Sequence, residues 1–202
     1  MDQAGTDAEG QDIYSSPQDL WAKVDADKDT VWYGAAVAYW DKQEASDDGV
    51  LGGHGEVSAA DIEESDKLLQ RAFGQQMKAA AANGEQLVAL DCGAGNFEFD
   101  TPRYHVIWVQ WALLYLTDDD AISFFARCRA GLRPGGIIVL KENICTKGFV
   151  VDKEDASLTR SNAYLLQLFS RAKMQVLLNV QQRKFPKDLF KVRMYALKPA
   201  DL

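Results

Sequence analysis

The 202-residue chain is 47% apolar and carries 30 acidic against 22 basic residues, a net charge of -8. That is enough apolar sequence for one full core in a chain short enough to stay a single domain. The negative balance argues against a nucleic-acid backbone or an anionic membrane surface as partner, and suits a basic peptide. The first residues hold no basic and apolar leader, and no run reaches the ~18 apolar residues of a membrane span. An intracellular, soluble protein of the cytoplasm, and of the nucleus as well, is therefore expected. The three cysteines, Cys92, Cys128 and Cys145, are odd in number and set in apolar sequence, which predicts core thiols and neither a disulfide framework nor a zinc site.

Residues 1–30 are polar, with Ser15-Ser16-Pro17 and the charged cluster Asp25, Asp27, Lys28 and Asp29. They read as a frayed tail, leaving 31–202 as one domain. From Val31 to Trp40, Trp32, Tyr33, Ala36, Val37, Tyr39 and Trp40 recur at helical spacing, and a second helix runs through Ile62, Leu68, Leu69, Ala72 and Phe73. Leu51-Gly52-Gly53-His54-Gly55 lies between them. It lacks the Lys-Ser/Thr pair of a phosphate loop and precedes an acidic segment, so a Gly hinge is predicted. Gln86 to Asp91 reads as a buried strand opening into Cys92-Gly93-Ala94-Gly95, and Val106 to Gln110 as a second strand. A helix follows with Thr117 as N-cap and Asp118 to Asp120 in its first turn, stopped by Arg133-Pro134-Gly135-Gly136. Ile137 to Leu140 is the next strand, Tyr164 to Phe169 a helix, and Val176 to Val180 with Val192 to Leu197 a closing antiparallel pair. Strands alternating with helices indicate an α/β fold around a parallel sheet.

Only ten residues, Asn96 to His105, separate Gly95 from the second strand. Extended, they reach about 33 Å, enough to return along one strand. A βαβ unit takes about 30 residues, so the sheet can survive but a helix-strand-helix-strand block has no room here. The acidic residue that takes ribose hydroxyls about 20 positions after such a Gly turn is missing with it.

Several segments together resemble the protein α-N-terminal methyltransferases: Tyr39-Trp40, Asp48 to Gly53 with Gly55, Leu90 to Gly95, Val106 to Trp111, Leu116-Thr117-Asp118, Gly136 to Lys141 with Asn143, and Asp152 with Asp155 and Ser157. They cover residues ~30–95 and ~100–200. The resemblance implies a Rossmann-like class I methyltransferase sheet with a helical N-terminal extension, here missing the block after the first strand. It implies S-adenosylmethionine as methyl donor, and as acceptor a protein whose exposed N-terminus reads X-Pro-Lys or X-Pro-Arg. By the same resemblance Asp91, Gly93, Gly95 and Gln110 face the donor. Trp40, Leu51, Gly52, Val57 and Trp111 wall the peptide channel. Asn143 holds the substrate proline's carbonyl, and Asp152, Asp155 and Ser157 form the acidic mouth and catalytic region. Tyr115 stands where the family has a catalytic histidine, and Phe190 replaces an aromatic residue that carries a hydroxyl.

Methyl transfer needs a neutral amine, and an α-amino group with a pKa of about 7.7–8 is mostly protonated near pH 7. Asp155 is the candidate base, directly or through water. Trp40 and Trp111 suit a proline ring, whose fixed φ costs little entropy to bind. His54 and His105 have no ligand partners in sequence and are assigned no metal. Two readings are carried forward: an active N-terminal methyltransferase, and an inactive splice-type variant that retains peptide binding or a regulatory role.

Overall fold

The computed structural model describes residues 3–24, 29–92 and 101–200. Its centre is a five-stranded sheet in the order β3-β4-β5-β9-β8, built from β3 (Ala89–Cys92), β4 (Tyr104–Gln110), β5 (Leu132–Ile144), β9 (Lys191–Pro199) and β8 (Met174–Gln181). β3, β4 and β5 run parallel, and β9 and β8 close the sheet as the expected antiparallel pair. The run Val106-Ile-Trp-Val109 is apolar at every position because β4 is covered on both faces. Ile107 and Val109 meet the helices α5 (Asp118–Gly131) and α6 (Asn162–Arg171), while Val106 meets α4 (Ser58–Asn83). α4 carries Leu68 and Phe73 into that face and ends at Gly84, whose φ of 68° is the left-handed cap that glycine supplies. Thr117 caps α5 as expected, accepting from the Asp120 N–H. All three cysteines are buried and free.

The N-terminal segment is not a frayed tail. β1 (Gly5–Asp7) and β2 (Ile13–Tyr14) form a hairpin, and β1 runs parallel to β6 (Phe149–Asp152), which pairs antiparallel with β7 (Ser157–Arg160). A second sheet of order β2-β1-β6-β7 results. α1 (Pro17–Val24) starts at a proline, with the Ser16 hydroxyl accepting from Asp19 N and the Asp19 carboxylate accepting from Ser15 N. Tyr14, Leu20, Trp21 and Val24 bury against Phe149, Val151 and Leu158. The polar composition concealed this, because much of the polarity caps the backbone. Asp7, only 2% exposed, accepts from the N–H groups of Gln11 and Asp12 and from Lys153 Nζ at 2.7–3.1 Å. Gly5 is required where it stands, since a Cβ there would lie 2.4 Å from the Phe149 ring.

The helix expected over 31–40 is a π-helical turn (Asp29–Tyr33) running into α2 (Gly34–Trp40). The Gly hinge follows a short helix, α3 (Asp47–Val50), and holds Gly52 and Gly53 at positive φ. Among the described residues no helix is long and apolar enough to cross a membrane.

The strand read over 86–91 is shorter than its apolar pattern, with β3 over Ala89–Cys92, and lies where the missing block after Gly95 leaves it. It is an edge, paired among the described residues only with β4, and Leu87 and Val88 just before it are 39% and 37% exposed. An edge strand leaves one row of backbone groups unpaired and open to water or to another chain. Hydrogen exchange should therefore be fast from Leu87 to Asp91, while β4 and β5 exchange near the global limit. Val88→Lys, which puts a charge on the edge, should reduce aggregation with little loss of stability. Global-limit protection of residues 87–91 in a monomer would show that this edge is covered.

Candidate active site

The carboxyl ends of β4 and β5, the outer face of β6–β7 and the α2–α3 segment enclose a cavity of about 870 Å³. Ligand sites of open α/β sheets lie at such strand ends. Trp40, Leu51, Gly52, Val57, Gln110, Trp111, Asn143, Asp152, Asp155 and Ser157 all line it, although they come from five separate parts of the chain. Asp91 does not line it. That residue is exposed near the end of the edge strand β3, and Gly93 and Gly95 lie outside the described residues.

Trp111 leaves β4 with φ at 47°, a conformation disfavoured for a large side chain, while its N–H donates to the Lys141 carbonyl at 3.0 Å. Such strain recurs where a side chain must be aimed. The indole Nε1–H is buried without a hydrogen-bond partner among the described residues, so it is a donor available to a ligand. Opposite it, Trp40 stacks edge-on against both Tyr39 and Tyr115, with centroids 5.4 and 6.1 Å apart.

The spacing Asp152-x-x-Asp155-x-Ser157 is a hairpin in which Asp152 and Ser157 pair across the β6–β7 ladder and Asp155 sits in the turn. Asp155 Oδ1 accepts from Ser157 N at 3.0 Å, and Oδ2 accepts from the Tyr115 hydroxyl at 3.2 Å. Burial raises the Asp155 carboxyl above its ordinary range, and the charge of Asp152 adds to this. The bonds from Ser157 and Tyr115 act the other way. Burial also pushes the Tyr115 phenol far up, so it remains a hydrogen-bond donor and does not serve as a base at neutral pH. The side chain of Asn143 makes no hydrogen bond within the described residues and is free to hold a ligand carbonyl.

Two buried ionisable residues that motif reading passed over hold the turn bearing Tyr115. Arg160, 1% exposed on β7, donates to the carbonyls of Leu113 and Leu116 and pairs with Asp118 at 2.9 Å. Glu142, 2% exposed on β5, accepts from Leu114 N at 3.2 Å and Asn143 N at 3.1 Å. The signal was present in sequence as Lys141-Glu142 inside an otherwise apolar strand, where charges persist only when partnered. Burial pushes the Glu142 carboxyl up to about 8. Between its reference value of 4.5 and about 8 the native state holds a proton that the unfolded chain has released, so this group makes stability fall as pH rises through that window. Glu142→Gln stays neutral throughout. Its stability relative to the parent should rise from pH 5 to pH 9 in denaturant titrations, and a flat difference would show that Glu142 is ionised in the fold.

Gln110 is oriented by protein on both sides: Nε2 donates to Asp61 Oδ2 at 2.9 Å and Oε1 accepts from Trp108 Nε1 at 3.0 Å. Asp61 in turn pairs with the fully buried Lys141. Phe190, 45% exposed, closes the outer side of the cavity with Phe185 and Leu189. His105 accepts from Val88 N and serves the edge strand, and His54 lies beside Glu56. No cluster of metal ligands occurs among the described residues.

A sheet covered on both faces, with a cavity at the carboxyl ends of its parallel strands, defines an open α/β fold of the kind that binds small ligands there. The family profile of AdoMet-dependent proline dimethyltransferases matches residues 27–97 and 96–198. The chain belongs to that family, whose donor is S-adenosylmethionine. It is 37% identical to the alpha N-terminal protein methyltransferase 1 of Arabidopsis thaliana, over 98% of this chain and 91% of the relative. That alignment is 254 residues long against a chain of 202. It is 31% identical to the N-terminal Xaa-Pro-Lys N-methyltransferase 1 of Danio rerio, over 84% of this chain and 96% of that one. A solved SAM-dependent methyltransferase from Leishmania major superposes with a TM-score of 0.82 at 30% identity, over 98% of this chain and 97% of that one.

The described residues fit the donor only in part. Gln110 and the strand ends beside it present one polar wall towards the cavity. On the far side of β3 no described strand supplies an acid for the ribose or a wall for the base. The described residues therefore do not make a complete donor site.

Proposed function

We propose that this protein methylates the α-amino group of proteins that begin X-Pro-Lys or X-Pro-Arg, in the cytoplasm and nucleus. The observation that carries this reading is the convergence of Trp40, Trp111, Asn143, Asp152 and Asp155 on one cavity. Apolar aromatic rings and hydrogen-bonding and acidic groups line the same cavity, with Tyr115 in contact with both Trp40 and Asp155. S-adenosylmethionine, when bound, supplies the electrophilic methyl group. The chain's own residues prepare the acceptor. Trp40 and Trp111 take the proline ring, the Asn143 amide donates to its carbonyl, and the Asp152 carboxylate attracts the basic third side chain. Asp155, held by Ser157 and Tyr115, takes the ammonium proton directly or through a water and leaves a nucleophilic lone pair. Its desolvated carboxylate is a better proton acceptor than a solvated one, and holding the amine in place supplies most of the remaining rate.

The exposed β3 edge and the short connection after Gly95 support weaker donor binding than in a relative with the full sheet. Titration calorimetry should give a donor affinity well below that of such a relative, and equal affinity would refute the shortened-site reading. Ser-Pro-Lys peptides should bind better than Ser-Ala-Lys peptides and gain methyl groups on the α-nitrogen by mass spectrometry. Equal binding of the two peptides would remove the channel assignment.

A further inference from the structure

A second cavity, of about 720 Å³, lies beside the first and plays no part in the chemistry above. Val150, Leu189 and Phe190 border both cavities. The chain as a whole is acidic, with 30 acidic against 22 basic residues, yet no Asp or Glu lines this cavity while Lys147, Lys191 and Arg193 do. Lys147 and Lys191 are exposed and form no ion pair among the described residues. Arg193 is held by Asn179, and its Nε–H is buried without a hydrogen-bond partner. Three cations thus line one cavity with no carboxylate among its lining residues, and an anionic ligand is the charge they attract.

The two cavities are linked along β6. Asp152 and Val150 share one face of that strand by its period of two, and the chain runs back from them to Lys147. Five residues of strand span about 17 Å at most. An extended peptide whose third residue lies at Asp152 therefore reaches Lys147 within about three to six further positions.

We propose that the second cavity receives an acidic stretch of the substrate protein, about three to six positions after its basic third residue. Recognition is then bipolar: the carboxylates of the first cavity select the Lys or Arg, and Lys147, Lys191 and Arg193 select the acids that follow. The inference rests on the peptide-channel reading and adds a requirement on substrate sequence beyond the first three residues.

The test uses peptide binding alone, by fluorescence anisotropy on the full chain. Three twelve-residue peptides begin Ser-Pro-Lys and carry Glu, Ser or Lys at positions 7–9, and a six-residue Ser-Pro-Lys peptide is the reference. The Glu peptide should bind about 3–10-fold more tightly than the Ser peptide at low salt, the Lys peptide more weakly than either, and the differences should close at about 1 M salt. The Lys147→Glu/Lys191→Glu variant should reverse the order of the long peptides while binding the six-residue peptide unchanged. Equal binding of the three long peptides, with Ser-Pro-Lys still preferred over Ser-Ala-Lys, overturns this inference and leaves the channel standing. Loss of the proline preference itself removes both.

Discussion

Asp155→Asn should lower α-amine methylation by about 10²–10⁴-fold, the usual contribution of a positioned general base. Asparagine nearly matches the carboxylate in shape: its Oδ1 can still accept from Ser157 N while its Nδ2–H2 donates to the Tyr115 hydroxyl oxygen, so the hairpin turn should stay in place. It cannot take up the proton that the substrate ammonium must lose. Peptide affinity should change far less than the rate, because the other residues lining the cavity are unchanged. The pH profile separates this role from a structural one. Burial raises the Asp155 carboxyl, so the parent's activity should fall as pH drops through a midpoint above the ordinary carboxylate value of about 4. The residual activity of the variant should lack that limb. Single-turnover assays on a Ser-Pro-Lys peptide give both readings, and full activity in the variant would remove Asp155 from the chemistry.

Arg160→Met should be the most destabilising single change near the site. It leaves Asp118, 3% exposed, with the Tyr164 hydroxyl at 2.6 Å and a long 4.0 Å pairing to Arg171, and takes the guanidinium donor from the Leu116 carbonyl, while the Leu113 carbonyl keeps the Leu116 N–H at 3.1 Å. Breaking a buried pair in this way costs about 3–5 kcal/mol. In a domain of this size that is a melting shift of roughly 6–20 °C downward. The turn carrying Tyr115 loosens at the same time, so activity should fall even below the new melting point. Removing both charges in Arg160→Met/Asp118→Leu should recover part of the stability, because neither side chain is then buried unpaired. A double variant less stable than the single one would show that Asp118 stabilises the fold without Arg160, through Tyr164 and Arg171.

The repeating pattern of residues was sufficient for the central sheet and its helices. Val106-Ile-Trp-Val109, the Thr117 cap with its three aspartates, and the Val176 and Val192 strands form local structure that their own neighbours specify. The motif residues were legible for a related reason. Trp40, Asn143 and the Asp152-x-x-Asp155-x-Ser157 spacing occur as short strings that a family resemblance can locate, and all of them line one cavity.

What composition obscured were residues whose partners lie far away in sequence. The N-terminal hairpin looks like a polar tail until Asp7 meets Lys153 and Gly5 meets Phe149, nearly 150 positions on. β6 and β7 are too short to announce themselves, and β1 completes their sheet only through a parallel pairing that no local pattern encodes. Glu142 and Arg160 stand in apolar runs as apparent anomalies, and only the packed turn between them shows what they hold. The sequence by itself determined the family and the strand and helix periods, because each depends on neighbours within a few residues. The tertiary structure alone decided that Trp111 adopts a strained φ, that Tyr115 bonds Asp155 and that a cavity lined by basic residues adjoins the first. Each of those depends on contacts between distant segments, whose geometry is set only when the chain closes around its core.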